Sequence, residues 1–189
     1  MASIIDICNM ALYAIGETPI TSLEDGTKAS TACNALWVPT RDYIQSCHQW
    51  PETLKRSTLT ASATSPNHEW TYAYTLPSDY LALVELYEHD AGENDYVVEG
   101  GYLLSDQSSA KILYIAKISD TTKWSTELVE VVRLKLAMEL CIPMSARVEI
   151  WERVMGQFFQ TMRFARSRAT KKSYPSVTRG DSWINARSS

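Results

Sequence analysis

The stretch WTYAYTLPSDYLALVE, residues 70–85, decides how the middle of this chain folds. Aromatic and apolar residues alternate with smaller or polar ones up to Leu76, which is the period of a strand. Pro77 has no N–H and therefore ends the pairing of that strand. Ser78 and Asp79 turn the chain, and a second β-rich run follows. The stretch predicts two strands separated by a short turn.

The period of two extends over residues 70–118 and sets this segment apart from the rest of the chain. The paired glycines at 100–101 accept positive φ, so they predict a tight hairpin. Residues 57–69 are rich in Ser, Thr and Ala, and they predict an exposed loop before the β segment. We expect strands near residues 70–76, 81–88, 95–99, 102–105 and 110–117.

Helical periodicity brackets the β segment on both sides. Ser3 with Asp6 three residues later is typical of a capping box, and Gly16 is typical of a helix end. Pro39 is expected to kink or divide the second helix because it removes a backbone hydrogen bond. Pro143 is expected to end the third helix. The predicted helices span residues 3–15, 27–47, 126–142 and 146–172.

The two C-terminal helices differ in their apolar pattern. The third is apolar nearly all round, which predicts a central position, whereas the fourth carries one apolar stripe. The segment from Ser173 onward has too few apolar residues to fold alone. The stripe of the fourth helix consists of Trp151, Val154, Met155, Phe158, Phe159, Met162 and Ala165.

These patterns predict a chain that is mainly α with a β insertion (α+β). We expect a helical bundle of about four helices, an antiparallel β segment between helices two and three, and an extended C-terminal tail. The chain divides into N-terminal bundle helices (1–56), a β-rich insertion (57–120), C-terminal bundle helices (121–172) and an extended basic tail (173–189).

Charge is unevenly distributed along the chain. Residues 160–189 hold seven basic side chains and one acidic one, a net charge of +6, and the whole chain carries -4, so the first 159 residues carry -10. An acidic body with a basic end indicates two different neighbours. Alternatively, the basic tail only keeps the protein soluble, and the acidic residues lie on ordinary solvated faces.

The motifs of catalysis and metal binding are missing from the sequence. It has no P-loop, GxGxxG or HExxH, and no Cys pair with CxxC spacing. The adjacent Cys47 and His48 do not have the geometry of a thiol and its base. The acids Asp90, Glu93 and Asp95 form no recognisable catalytic pair and predict a solvated loop. We therefore predict a protein that is not an enzyme, with no catalytic residues, no cofactor and no metal.

The four cysteines and the remaining histidines have ordinary structural interpretations. Cys8, Cys33, Cys47 and Cys141 are scattered and are interpreted as reduced core residues. His48, His68 and His89 are far apart and lie mostly beside loops. No apolar run approaches the length of a membrane span and no signal peptide is recognisable, so synthesis in the cytoplasm is expected.

Several short patterns, in order from Ala11 to Leu140, resemble one family. The first is Ala-Leu-x-x-Ile-Gly followed by a Ser-Leu-acidic turn, and the second is an Arg-Asp pair with an aromatic exit. These are followed by Leu-Pro-x-Asp, then by a Val-Glu-Gly hairpin, and then by a Tyr-bearing strand that leads to Asp120. The residues are Ala11, Leu12, Ile15, Gly16, Ser22, Leu23, Glu24, Arg41, Asp42, Trp50, Pro77, Asp79, Val98, Glu99, Gly100 and Tyr114. The chain resembles the head-to-tail adaptor (tail tubular protein A-like, or head-completion) proteins of short-tailed bacteriophages.

The resemblance implies a structural virion protein at the head-tail interface, made in the host bacterial cytoplasm. Such subunits form a closed ring, usually a dodecamer, that docks under the portal protein and carries the tail nozzle, a tail tubular protein B-like protein. Each contact in a ring of this kind is heterologous. Genomic DNA would pass through the lumen without specific binding, because carboxylates on the wall would repel phosphates.

Two sets of contact residues follow from the resemblance and the charge pattern. The basic end of the fourth helix and the tail would bind the portal, with Trp183 as a late anchor. The tyrosines of the β segment, which sit among acids, favour protein contacts over base stacking. The predicted portal-binding residues are Arg163, Arg166, Arg168, Lys171, Lys172, Tyr174, Trp183, Ile184 and Arg187. The predicted nozzle or inter-subunit residues are Tyr72, Tyr74, Tyr87, Tyr96 and Tyr102.

Two other functions remain open at the level of sequence. A nucleic-acid-binding module could use the basic C-terminal helix and tail, although the sequence pI near 5.4 argues against it. A cell-wall hydrolase carried on the virion is the other, and it lacks any recognisable catalytic pair.

Overall fold

The computed structural model describes residues 2–63, 66, 68–87, 96–145 and 147–173, and their side chains up to Thr170. The α+β class is confirmed, and the strands stand between the second and third helices in the chain. The helices are α1 (Ile4–Ile15), α2 (Lys28–Ser46), α3 (Thr126–Met144) and α4 (Val148–Ser173). The strands are β1 (Leu54–Leu59), β2 (Tyr72–Thr75), β3 (Tyr80–Tyr87), β4 (Tyr96–Glu99), β5 (Tyr102–Ser105) and β6 (Ala110–Ala116).

Local sequence signals set the ends of the helices. Ser3 and Asp6 form the predicted capping box, and Gly16 ends α1 in the left-handed region at φ 79°. Ser125 caps α3 by accepting from the Leu128 N–H. These ends are confirmed because each depends on residues within one turn of the helix.

Both helical prolines lie inside helices that continue past them. Pro39 does not divide α2, which runs from Lys28 to Ser46 as one helix. Pro39 lies on the exposed side, where water can solvate the carbonyl that it leaves without a partner. Pro143 lies in the last turn of α3 rather than after it, and the helix ends one residue later, at Met144.

The strands form two antiparallel three-stranded sheets, in the orders β1-β6-β3 and β2-β5-β4. A single β-bridge between Ala61, just after β1, and Tyr74 of β2 links the two sheets. The hairpin between β4 and β5 turns at Gly100 and Gly101, both at positive φ as predicted. The six strands therefore form one connected β unit.

Strand β1 corrects the prediction of a loop beginning at residue 57. Its sequence LKRSTL lacks an apolar alternation and gives no strand signal by itself. Pairing with β6 makes it a strand, and Leu59 opposite Ala110 enters the core of the β unit. Tertiary pairing thus overrides a weak local propensity.

The molecule has two apolar cores. Helices α1, α2 and α4 all pack on α3, which is buried nearly all round as predicted. A separate core fills the β unit and includes Tyr74, Leu86, Leu103 and Ile112. Ile118 follows β6 and packs against both cores, so it marks the joint between the helices and the sheets.

A buried glutamine fastens this joint. Gln45, near the end of α2, is fully buried; its Nε2 donates to the Ile118 carbonyl at 2.9 Å, and its Oε1 accepts from the Ile118 N–H at 2.9 Å. Trp124 adds an indole N–H to the same carbonyl at 3.1 Å. The entry to α3 is therefore held directly on the end of α2.

Replacing Gln45→Leu should lower the free energy of unfolding by about 1–3 kcal/mol, because it leaves the Ile118 N–H without its acceptor. Urea unfolding followed by circular dichroism measures this loss. The matched control is Gln157→Leu on the exposed side of α4, which should stay within about 0.5 kcal/mol of the parent. Equal effects of the two substitutions would contradict the fastening role of Gln45.

Candidate functional site

The second half of α4 is the candidate docking surface predicted from the charge pattern. Arg163 is exposed and makes no ion pair with another described residue. Arg166 donates from Nη2 to the Cys47 carbonyl at 3.3 Å. Arg168 pairs through Nε with Glu127 at 3.2 Å, and its guanidinium lies 5.7 Å from the ring centre of Phe164. The structure thus brings the three arginines to one helix end, where two of them also hold α4 in place.

The remaining predicted portal-binding residues follow this helix end. Lys171 and Lys172 lie on the helical backbone of α4, which continues to Ser173. Their side chains lie beyond the described side chains. Tyr174, Trp183, Ile184 and Arg187 lie outside the described residues, and so do His89 and the acids Asp90, Glu93 and Asp95.

His48 lies under the end of α4. Its ring meets the Trp50 ring edge-on at 5.2 Å between centres, and its Nε2 is buried without a partner among the described residues. Burial lowers the pKa of His48, and the nearby Arg166 guanidinium lowers it further, against a hydrogen bond with the Arg166 backbone. Neutral His48 therefore suits this contact.

The predicted tyrosine set divides by burial. Tyr96 and Tyr102 are 36% and 41% exposed; Tyr96 shares one face of the edge strand β4 with exposed Val98, whereas Tyr102 lies opposite Glu99 on the other face. Tyr72 and Tyr87 are half-buried. Tyr74 corrects the prediction: it is 1% exposed, and its hydroxyl donates to the Gln107 carbonyl, so it is a core residue. The exposed tyrosines lie on the β4–β5 hairpin.

Asp79 of the Leu-Pro-x-Asp turn ties three strands together. Lys55 of β1 pairs with it at 2.6 Å, and the Tyr114 hydroxyl of β6 donates to it at 3.0 Å. Burial alone would raise the pKa of Asp79, but Lys55 and Tyr114 outweigh burial and hold it below its ordinary value. Burial and the bond to Asp79 raise the pKa of Tyr114 to about 12.

Other residues that carry the family resemblance also lie at structural joints. Arg41 is buried, pairs with Asp42 at 2.7 Å and donates to the Ser119 hydroxyl at 3.3 Å, so it links α2 to the segment after β6. Trp50 is fully buried, and its indole N–H donates to the Ile44 carbonyl at 3.0 Å. The residues that carry the resemblance thus hold this fold together rather than form a partner surface.

Two exposed surfaces escaped the sequence analysis. The first, the α2 face, consists of the exposed residues of α2 from Thr31 to Ser46, and none of them is charged. The second, the α4 strip, includes Phe159, which was predicted to be buried and is 61% exposed. The α2 face is Thr31, Asn34, Ala35, Val38, Pro39, Tyr43 and Ser46. The α4 strip is Val148, Trp151, Met155 and Phe159, with Ile142 at the end of α3.

The correction at Phe159 has a geometric cause. The apolar residues of α4 span a wider arc than α3 can cover, so Val154 and Phe158 are buried while Phe159 faces outward. For the α2 face, the signal in the sequence is the run of uncharged residues along one side of the helix. Apolar periodicity indicates only the side of α2 that packs on α3, and the lack of charge on the opposite side is a separate signal.

Reactive groups do not converge in the part of the chain that the structure describes. Within it, no group of three or more His, Cys, Asp or Glu side chains could hold a metal ion. Cys8, Cys33 and Cys141 are free thiols buried in the helical core, as predicted, and Cys47 is half-buried. Across the described ranges, no helix combines the length and apolarity needed to cross a bilayer.

Comparison of the chain with protein-family models gives no match, and comparison with curated proteins likewise finds none. The proposal of a function therefore rests on the sequence, the fold and the surfaces described above.

Replacing Asp79→Asn should lower the free energy of unfolding at neutral pH by about 1 kcal/mol, through loss of the Lys55 ion pair and the charged acceptor of Tyr114. Because the folded pKa is lowered, Asp79 stabilises the fold above its ordinary pKa and stops doing so as the pH falls through the folded value. The difference between variant and parent should therefore vanish between about pH 4 and pH 2. Urea unfolding across this range measures it, with the exposed Glu99→Gln as control. A difference that persists at low pH would contradict the role of the charge.

Neutral His48 should make the fold sensitive to mild acid. Its lowered folded pKa means that its contribution is present above about pH 6.5 and is lost as the pH falls through the folded value. The midpoint temperature of unfolding should fall between about pH 7 and pH 5, and His48→Phe, which still packs on Trp50, should reduce that fall. His68→Gln, at an exposed position, should leave the fall unchanged. Scanning calorimetry decides between these outcomes.

Proposed function

We propose that this protein is a subunit of the head-to-tail adaptor ring of a short-tailed bacteriophage. In this proposal the ring docks under the portal, carries the tail nozzle and forms part of the DNA ejection channel. The observation that carries it is the end of α4, where exposed Arg163, Phe164 and Arg168 lead into a basic segment on an otherwise acidic chain. The order of family-like motifs along the chain supports the same assignment.

The end of α4 is the proposed portal contact. Phe164 is 63% exposed beside Arg168, so the surface offers an aromatic ring together with positive charge. Aromatic residues and arginine are enriched where proteins bind each other. Arg166 and Arg168 are held by Cys47 and Glu127, which keeps the helix end in one orientation for docking. Lys171, Lys172, Tyr174, Trp183, Ile184 and Arg187 would extend this contact.

The β unit is the proposed contact with the nozzle or the adjacent subunit. On the β4–β5 hairpin, Tyr96 and exposed Val98 share one face and Tyr102 lies on the other, so this edge presents apolar side chains on both faces. The helices, as a bundle with the β unit inserted and the tail extended, would build the ring wall. The assembly would be a closed ring, most simply a dodecamer as in the family that the chain resembles, at the virion's head-tail interface after synthesis in the host cytoplasm.

The acidic body fits a channel through which DNA must move. The first 159 residues carry -10, and carboxylates on the lumen would repel phosphates and avoid the counterion release that drives DNA binding. The competing role as a nucleic-acid-binding module needs free cations. Arg166 and Arg168 both have protein partners, so among the described arginines of this helix end Arg163 alone would be free to bind phosphate.

Mixing the protein with the portal ring encoded by the same genome tests the proposal. Mass measurement and electron microscopy should reveal a stoichiometric second ring beneath the portal. Arg163→Glu should weaken the complex by roughly tenfold or more, since about 1.4 kcal/mol is tenfold in Kd, and truncation before Ser173 should abolish it. Arg56→Glu, the same charge change at an exposed position of β1, is the matched control.

Two outcomes would overturn this function. The first is a portal that stays bare at high concentrations of the protein. The second is tight duplex DNA binding that falls steeply with salt, which would support the nucleic-acid-binding role instead.

A further inference from the structure

We infer that the α2 face of one copy of this chain docks on the α4 strip of the next copy. This inference rests on the proposed function, because a cyclic ring needs two different surfaces on each subunit that fit each other. It goes beyond that function by naming the two surfaces.

The α4 strip is an apolar surface that the described residues cover only in part: Trp151 is half-buried against the helical core, and most of the other members are exposed. Ile142, Val148 and Phe159 are 68%, 64% and 61% exposed. Val148, Trp151, Met155 and Phe159 recur at spacings of three and four, so they lie along one side of α4. At its start the strip contains a cavity of about 230 Å³ lined by Cys141, Ile142, Arg147, Val148 and Trp151. The cavity can receive a side chain from a partner.

The α2 face has the composition of a buried contact although it is exposed in the subunit. Val38 and Tyr43 are 47% and 56% exposed. A helix side that faces water is normally rich in charge, whereas the centre of a protein interface is depleted of it. No exposed residue between Thr31 and Ser46 is charged. This surface is suited to a partner that is also uncharged.

The two surfaces complement each other in hydrogen bonding. Pro39 has no N–H, so the carbonyl of Ala35, one turn earlier on the α2 face, lacks its helical donor. Trp151 in the α4 strip has an indole N–H that donates to no other described residue. One surface therefore offers an acceptor and the other a donor.

A second copy is the partner that these features select. Helices α2 and α4 both pack on α3 and hardly touch each other, so the α2 face cannot cover the α4 strip of its own chain. The α2 faces of two copies would place acceptor against acceptor, and the α4 strips of two copies would place donor against donor, so both twofold pairs are disfavoured. The α2 face has no exposed charged residue, and the α4 strip has Arg147 at its cavity and exposed Glu152 beside it, so neither surface offers the cluster of positive charge that a nucleic acid or an acidic peptide would need. The contact is therefore heterologous and repeats around a ring.

Cross-linking between two cysteine variants tests the inference. Val38→Cys and Val148→Cys are made separately in a Cys47→Ala background, which leaves three native cysteines that are at most 1% exposed. The two proteins are mixed, both free at high concentration and on portal rings, with a bismaleimide spanning roughly 10 Å, the distance between packed helices. The mixture should give at least tenfold more cross-linked dimer than either variant alone. Glu24→Cys mixed with Val148→Cys is the control and should give none.

Each outcome separates the inference from the proposed function. Rings on the portal without the mixed cross-link, or with Val38→Cys linking to itself, would overturn the inference and leave the function standing. If the free protein gives the mixed cross-link but never binds a portal, the inference is supported and the proposed function is contradicted. Val38→Asp, at an exposed position that the fold tolerates, should reduce ring yield at least tenfold while its unfolding curve stays that of the parent.

Discussion

The contact between Gln45 and Ile118 is the constraint on which the arrangement of this molecule depends. A buried amide satisfies both the N–H and the carbonyl of one residue, at the point where the helical core and the β core meet. The joint has further ties: Glu52 accepts from the Ser125 N–H at 2.9 Å, and Arg41 reaches Ser119. Because these polar groups are wholly or partly buried and paired, separating the two cores would leave several of them without partners.

This joint also determines what the subunit can present to its neighbours. The end of α4 is attached to the same region through Arg166 at Cys47 and Arg168 at Glu127. A basic helix end and a β unit with exposed tyrosines are therefore attached to the same joint. In the proposed ring, such a joint would transmit the position of the portal to the nozzle without requiring a flexible linker. The α2 face and the α4 strip lie on the outer helices. Their residues take no part in the polar contacts of this joint.

Much of the fold could be predicted because the signals were local. The capping box at Ser3, the glycine end of α1 and the paired glycines of the β4–β5 hairpin each act within a few residues. The errors came where a distant partner decided the outcome. Strand β1 exists because β6 pairs with it, and Tyr74 is buried because the opposing sheet covers it. For the candidate surfaces, the sequence located the charged helix end but not the uncharged α2 face.

By itself, the sequence determined the helices, most of the strands and the contrast between an acidic body and a basic end, because periodicity, caps and charge are properties of neighbouring residues. Only the tertiary structure decided which apolar residues stay outside. Phe158 and Phe159 are adjacent and chemically identical, yet one packs on the core and the other faces solvent. Burial depends on how many helices surround a position, and that number is set by packing on α3 rather than by the local pattern.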